Sequence, residues 1–209
     1  MHAFTFSLPT QIVFGPGTET ETGKLIAGQG GHRVLVVYGG QSAVRSGLIA
    51  KVQASLTQAG LEQDTFGGIH PNPRLFQVRE GVEKAKAMNA DFILAVGGGS
   101  VIDASKAIAL GVANPEADLW DFWLRKQPVE RTLPVGTVLT ISAAGSETSD
   151  SAVLTRDDTL EKRGLSSQIF RPRFAVMDPE LTYTLPPYQI ACGVVDMMMH
   201  TLDRYFTSV

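Results

Sequence analysis

The fold of this chain is decided by one stretch of its sequence, Phe92-Ile93-Leu94-Ala95-Val96-Gly97-Gly98-Gly99-Ser100. Its apolar half has no polar alternation, which is typical of a strand buried on both faces of a parallel sheet. After Ser100, small and apolar residues recur at helical spacing from Ile102 to Ala113, and Asn114-Pro115 ends the pattern. The stretch therefore predicts a strand, a glycine loop and a helix in direct succession.

The three glycines lie where a strand passes into a helix. At such a place, backbone N–H groups and the helix dipole can hold a pyrophosphate, and glycine lets the backbone approach it closely. Three successive glycines also cost more chain entropy than a tight turn requires. The pattern favours a phosphate-binding loop, and a tight strand-to-helix turn is the alternative. The G-x-G-x-x-G fingerprint of ordinary Rossmann dehydrogenases is absent.

The flanking sequence repeats the same alternation. Residues 33–38 form a second continuous apolar run, which ends in Gly39-Gly40, and apolar spacing predicts a helix over about 43–59. A further helix is predicted around Val78, Val82 and Ala85, and residues 133–140 are strand-like again. Strands that alternate with helices predict an α/β fold with a parallel sheet.

The two ends of the chain differ from this pattern. Two short apolar runs, Phe4-Thr5-Phe6 and Ile12-Val13-Phe14, predict a hairpin-like start. Near the other end, Pro186-Pro187 precedes a methionine-rich stretch, 194–202, which contains no helix breaker. We interpret this stretch as a helix that leaves the sheet domain. The predicted domains are 1–184 and the beginning of a second one, 185–209.

The composition is that of an ordinary soluble protein. The 209 residues are 44% hydrophobic and 19% charged, and the formal net charge is -3. This charge gives no indication of nucleic-acid binding. The single cysteine, Cys192, excludes an internal disulfide, and the sequence has no signal peptide or apolar span. We therefore expect a cytoplasmic protein with no membrane or nucleic-acid partner.

Asp196 and His200 in the predicted terminal helix could bind a metal together. They stand four residues apart, so their side chains share one helix face and can reach the same cation. A carboxylate and an imidazole suit a divalent metal such as iron or zinc. The same spacing also occurs in exposed ion pairs, which is the alternative interpretation.

Several blocks of the sequence resemble the iron-containing (group III) alcohol dehydrogenase family. They keep the order and spacing of that family across essentially the whole chain. The blocks are His70-Pro71-Asn72-Pro73, Ala95 to Asp103, Ala144-Gly145-Ser146-Glu147, Asp178-Pro179-Glu180-Leu181, Leu185-Pro186-Pro187 and Gly193 to His200. Tyr38 to Ser42 is similar to the NADPH-dependent butanol dehydrogenase and aldehyde reductase branch of the family.

The resemblance implies a dehydroquinate synthase-like nucleotide-binding domain followed by the first helix of an all-helical metal-binding domain. It implies an oxidoreductase that moves hydride between NADP(H) and a small primary alcohol or aldehyde. Gly40 stands where NAD-using relatives carry aspartate, which favours NADP. The implied cofactor-binding residues are Gly39, Gly40, Ser42, Pro71, Asn72, Gly97, Gly98, Gly99, Ser100, Asp103, Thr137, Thr140, Ser142 and Lys162. From the residues alone, Thr137 and Thr140 are equally well explained as packed strand residues, and Lys162 as a solvated charge.

The resemblance also implies that Asp196 and His200 bind iron, or zinc, together with two histidines from a downstream helical domain. No histidine follows His200 in this sequence. The chain thus resembles the N-terminal half of the family, and we expect it to be inactive alone and the full-length protein to form a homo-oligomer, such as a dimer. Two alternatives stay open: a dinucleotide-binding module without catalysis, and a polyol dehydrogenase similar to glycerol dehydrogenase.

Overall fold

The computed structural model describes Thr5 and residues 7–207. In this part of the chain six parallel strands form one sheet. The strands are β1 (Gln11–Phe14), β2 (Arg33–Tyr38), β3 (Glu62–Phe66), β4 (Phe92–Gly97), β5 (Val135–Leu139) and β8 (Phe174–Met177). Their order in the sheet is β1-β8-β5-β4-β2-β3. The parallel α/β fold predicted from the alternation is confirmed.

Helices cover both faces of this sheet. They are α1 (Thr22–Gly28), α2 (Ser42–Arg45), α3 (Leu48–Gln58), α4 (Leu75–Ala87), α5 (Gly99–Ala113) and α6 (Leu119–Trp123). Alternate residues of β2 point to opposite faces. Val34 and Val36 belong to a core formed with α1 and α3, whereas Leu35 and Val37 belong to a core formed with α4, α5 and α6. The sheet is therefore buried between two helical layers, as its apolar strands require.

The order of the strands places a crevice at the carboxyl ends of β2 and β4. These two strands are neighbours, and the chain continues from β2 to β3 on one side and from β4 to β5 on the other. Ligands of open α/β sheets bind at such a switch point, because the loops there diverge. The glycine loop after β4 lies at this edge.

A small antiparallel hairpin lies apart from the main sheet. It consists of β6 (Ser151–Thr155) and β7 (Lys162–Ser166), paired from Ser151 with Ser166 to Thr155 with Lys162. Ala152 and Leu154 are fully buried in the core that contains α5. This packing holds the hairpin, and with it Lys162, beside the beginning of α5.

Two sequence predictions need correction. The helix predicted over 43–59 is divided into α2 and α3, because Gly47 between them adopts a positive φ of 78°. Of the predicted starting hairpin, Phe4 and Phe6 lie outside the described residues. Its second run forms β1, which pairs in parallel with β8.

The final helix, α7 (Pro187–Phe206), extends from the sheet domain, as expected for residues 194–202. Gly193 is its one buried residue. A methyl group at Gly193 would lie 2.8 Å from the carbonyl oxygen of Ser142, so the helix backbone closely approaches the loop after β5. Among the described helices, none has the length and apolarity needed to cross a bilayer.

Candidate functional site

A cleft of about 310 Å³ opens at the carboxyl edge of the sheet. Five segments line it: the loop after β3, the start of α5, the loop after β5, and both strands of the hairpin. The lining residues are Asn72, Pro73, Gly99, Ser100, Asp103, Ile141, Ala143, Ala144, Gly145, Ser146, Glu147, Val153 and Lys162. The cleft therefore brings together Asn72, Gly99, Ser100, Asp103 and Lys162 from the implied cofactor site.

The first turn of α5, which begins at the last residue of the glycine loop, forms the floor of this cleft. Gly97 ends β4, Gly98 precedes α5 with an extended backbone (φ -90°, ψ -170°), and Gly99 begins the helix. The first turn of a helix leaves its N–H groups without partners inside the helix, and here that turn borders the cleft. Because α5 also points its positive dipole end here, the arrangement suits a phosphate group.

The loop after β3 is joined to the glycine loop and to the hairpin through Asn72. Its backbone N–H donates to the Ser100 hydroxyl (3.2 Å), and its side-chain oxygen accepts from Lys162 Nζ (2.7 Å). Asn72 has a positive φ of 56°, a conformation that asparagine tolerates better than most residues. Pro71 beside it is exposed, and Pro73 is buried. These contacts hold the Lys162 ammonium at the cleft.

Asp103 lines the cleft from the first part of α5. The residue is 8% exposed, and its Oδ2 accepts a hydrogen bond from the Val153 backbone N–H (3.1 Å). Its Oδ1 is buried without a hydrogen bond of normal geometry among the described residues, although the Ser146 side chain lies close enough to affect the pKa. Burial raises the pKa of Asp103, against the opposing effects of the Val153 hydrogen bond, the nearby Lys106 charge and the Ser146 side chain.

The residues after β2 lie at the neighbouring strand end. Gly39 is half-buried, and a methyl group there would contact Val101 at 3.3 Å. Gly40 and Ser42 are exposed, and a methyl group at Gly40 would meet nothing within 4 Å. The structure thus places these residues beside open space at the switch point, next to the lined cleft.

The three residues implied for the adenine and ribose side have different environments. Thr137 is fully buried in β5, and its hydroxyl donates to the Phe174 carbonyl oxygen (3.3 Å). Thr140 is half-buried, and its N–H donates to the Gly97 carbonyl oxygen (3.2 Å). Ser142 is exposed. The position of Thr137 is that of a packed strand residue, so its side chain does not reach the cleft.

Asp196 and His200 lie on the side of α7 that carries Gly193. Asp196 Oδ1 and His200 Nε2 are 3.7 Å apart, and the two side chains are 46% and 62% exposed. Among residues 7–207, no group of three or more His, Cys, Asp and Glu side chains is arranged to hold a metal. The donor types suit iron or zinc, and the pair amounts to two of the ligands that a site for such an ion would need.

Two features of the site have no role that was predicted from the sequence. The Ala144 to Glu147 block was singled out as a family motif, and it forms one wall of the cleft. Lys106 was not singled out, although it is fully buried in α5. A lysine within a helix face of small apolar residues is the signal that could have identified it, because an unpaired ammonium is costly to bury.

Comparison with known proteins identifies relatives over the same region. The family described as iron-containing alcohol dehydrogenase matches residues 9–179. A probable NADH-dependent butanol dehydrogenase 2 of Bacillus subtilis is 43% identical over 100% of this chain and 53% of its own length. The NADPH-dependent aldehyde reductase YqhD of Escherichia coli is 39% identical over 99% of this chain and 53% of its own.

A solved structure shows the same fold. The NADH-dependent butanol dehydrogenase A of Thermotoga maritima superposes with a TM-score of 0.94 at 43% identity. The match covers 99% of this chain and 52% of the Thermotoga chain. The chain therefore spans about half the length of the relatives that it matches.

Proposed function

The chain belongs to the iron-containing alcohol dehydrogenase family, and we propose that it is the nucleotide-binding part of an oxidoreductase that interconverts small primary alcohols and aldehydes with NADP(H). The observation that carries this proposal is the cleft at the start of α5. There, the first turn of α5, the Lys162 ammonium and the Asp103 carboxylate line one space. Backbone donors and a cation suit a pyrophosphate, and a carboxylate suits an N–H or O–H group of the same ligand.

Four residues of the cleft have a proposed task. Gly99 and Ser100 offer backbone N–H groups to the pyrophosphate, and Lys162 contributes positive charge. Asp103 accepts a hydrogen bond and so fixes the orientation of the bound nucleotide. When bound, the cofactor exchanges the hydride and a divalent metal polarises the substrate oxygen. Asp196 and His200 would hold that metal as two of its ligands.

We propose NADP as the preferred cofactor. The named relatives include both NADH-dependent and NADPH-dependent enzymes, so the family alone does not decide the preference. Gly40 leaves the end of β2 without the carboxylate that would accept ribose hydroxyls and repel a 2′-phosphate. Ser42 can donate a hydrogen bond to that phosphate, and Arg45, which is exposed on α2, can supply charge.

Fluorescence titration of the purified chain with NADPH and NADH tests both statements. Saturable binding of NADPH supports the proposed nucleotide site, and tighter binding of NADPH than of NADH supports the preference. If neither NADPH nor NADH binds, the proposed function is contradicted. Equal affinities would contradict only the preference.

A second candidate, a dinucleotide-binding module without catalysis, is favoured by one observation. Among the described residues the metal site has two ligands, Asp196 and His200, whereas a catalytic metal is usually held by at least three protein groups. The two candidates share the cofactor cleft and differ in turnover. Turnover is therefore the measurement that separates them.

A further inference from the structure

Lys106 is fully buried in α5, and its ammonium is surrounded by acceptors. Nζ donates to the carbonyl oxygens of Ser146 (2.8 Å), Ser149 (3.0 Å) and Ser151 (2.8 Å), and it lies 3.3 Å from the Ser149 hydroxyl. Burial of an ammonium is unfavourable unless hydrogen bonds compensate it. A methionine could fill similar space without that penalty, so packing alone does not explain a lysine here.

The three carbonyl groups belong to a segment that borders the cofactor cleft. Ser146 and Glu147 line the cleft, and β6 begins at Ser151. The same helix holds β6 a second time, because Asp103 accepts the Val153 N–H. Helix α5 thus fixes the wall of the cleft through two side chains, while its own first turn forms the floor.

We propose that Lys106 is a positioning residue for cofactor binding. Its ammonium acts as a clamp that holds residues 146–151 against α5. The separation between the wall of the cleft and the first turn of α5, at Gly99 and Ser100, is thereby kept constant. This inference rests on the proposed cofactor function of the cleft. It predicts that loss of the clamp loosens the wall and weakens nucleotide binding, although Lys106 itself does not touch the nucleotide.

The protonation of Lys106 offers an independent way to change the strength of the clamp. Burial lowers the pKa of Lys106 to about 8, although Asp103, Asp150 and Glu147 attract its charge, and Arg171 lowers it further. If the segment opens, Lys106 is solvated and its pKa returns toward 10.5, so the open segment binds more protons than the clamped segment between these values. The clamp should therefore strengthen as the pH rises above about 8, and the affinity for the nucleotide should rise with it.

The test compares Lys106→Met with Lys86→Met, a control on α4 whose ammonium contacts Glu83 at the surface. The affinity for NADPH is measured by fluorescence at about pH 7 and about pH 9.5, on either side of the Lys106 pKa. Amide exchange protection of residues 145–153 is measured in parallel without cofactor. We expect Lys106→Met to weaken NADPH binding by ~10-fold, to lower protection in this segment, and to remove the gain of affinity at high pH.

The outcomes separate this inference from the proposed function. If the parent chain does not bind NADPH, the proposed function fails, and protection of residues 145–153 still decides whether Lys106 clamps the segment. If the parent binds NADPH and Lys106→Met binds it within about twofold, the inference is overturned. If Lys106→Met does not fold, the measurements on the parent chain decide. If its affinity for NADPH and the amide protection of residues 145–153 are the same at both pH values, the inference is overturned.

Discussion

The three glycines of the loop after β4 are explained by different surroundings. A methyl group at Gly97 would lie 2.6 Å from Val101 Cγ2, and one at Gly98 would lie 2.3 Å from Ile141 Cγ2. Packing therefore requires glycine at both positions, whether or not a ligand binds. Only Gly99 lines the cleft, where a methyl group would lie 3.3 Å from Ser146 Oγ. The case for phosphate binding thus depends on Gly99 and on the cleft around it.

Gly99→Ala should weaken NADPH binding by ~10-fold without lowering the melting temperature, because the methyl group enters the cleft and alanine is favoured in helices. Gly98→Ala provides the contrast. It should lower the melting temperature as well as the affinity, since Ile141 must move. Titration and thermal denaturation of both variants check this expectation. Unchanged affinity in Gly99→Ala would show that the loop is only a turn.

Gly40→Asp should change the cofactor preference from NADPH to NADH. The new carboxylate has open space, so the fold should tolerate it, and it would accept ribose hydroxyls and repel a 2′-phosphate. We expect the ratio of the two affinities to shift by ~10-fold or more. Gly28→Asp, also in open space but on α1, is the matched control. A shift of the same size in the control would contradict the role of Gly40.

Lys106 should also make the free energy of unfolding depend on pH, and its lowered pKa determines the direction. Its folded pKa of about 8 is below the ordinary value of 10.5, so the unfolded chain binds more protons between these values. The contribution of Lys106 to the free energy of unfolding should therefore rise from about pH 8 to about pH 10.5. Urea denaturation of the parent and Lys106→Met at both ends of this range measures it. A stability difference that is independent of pH, or that changes with the opposite sign, would contradict the expectation.

At the scale of the elements, burial decided which of them could be predicted. The apolar runs of β2 and β4 and the spacing in α4 and α5 identify these elements, because each is buried on a face that the sequence pattern reveals. β3 lies at the edge of the sheet, and its sequence, Glu62-Gln63-Asp64-Thr65-Phe66, contains no apolar run. The hairpin was not predicted for a similar reason. Because β7 is mostly exposed, its sequence lacks the apolar pattern of a buried strand.

The apolar side of α7 should promote self-association. Val194, Met198, Leu202 and Tyr205 share this side and are 39–79% exposed. Met198→Lys should therefore reduce the proportion of dimers and larger species in sedimentation velocity. Gln189→Lys adds the same charge to the polar side of the helix and should have little effect. Purely monomeric behaviour of the parent chain would contradict this prediction.

At the scale of the whole molecule, the site is assembled from segments that are distant in sequence. Asn72, Ser100 and Lys162 form one connected group, yet 28 residues separate the first pair and 90 separate Asn72 from Lys162. Local sequence patterns cannot reveal such contacts. The family resemblance therefore identified these residues as candidates, and the fold brings them into contact. Resemblance also nominated Thr137, whose burial in β5 instead supports the packing alternative.

The proposed metal ligands and the proposed cofactor cleft are formed by different elements of the fold. The cleft is built entirely from the sheet domain and its hairpin, whereas Asp196 and His200 stand on α7, which contacts that domain at Gly193. Two exposed ligands on one helix should hold a metal weakly. Cofactor binding and metal binding should therefore be separable properties of this chain, with the first substantially stronger than the second.

We accordingly expect the 209-residue chain to bind NADPH and to show no appreciable alcohol dehydrogenase turnover. With two metal ligands and an exposed α7, the substrate oxygen lacks a firmly held cation, and water is not excluded from the path of the hydride. The purified chain is assayed with NADP and butanol, with added iron or zinc, and NADPH formation is followed by absorbance. Robust turnover that requires the metal and is lost in His200→Ala would show that other groups complete the metal site, and the prediction would be wrong.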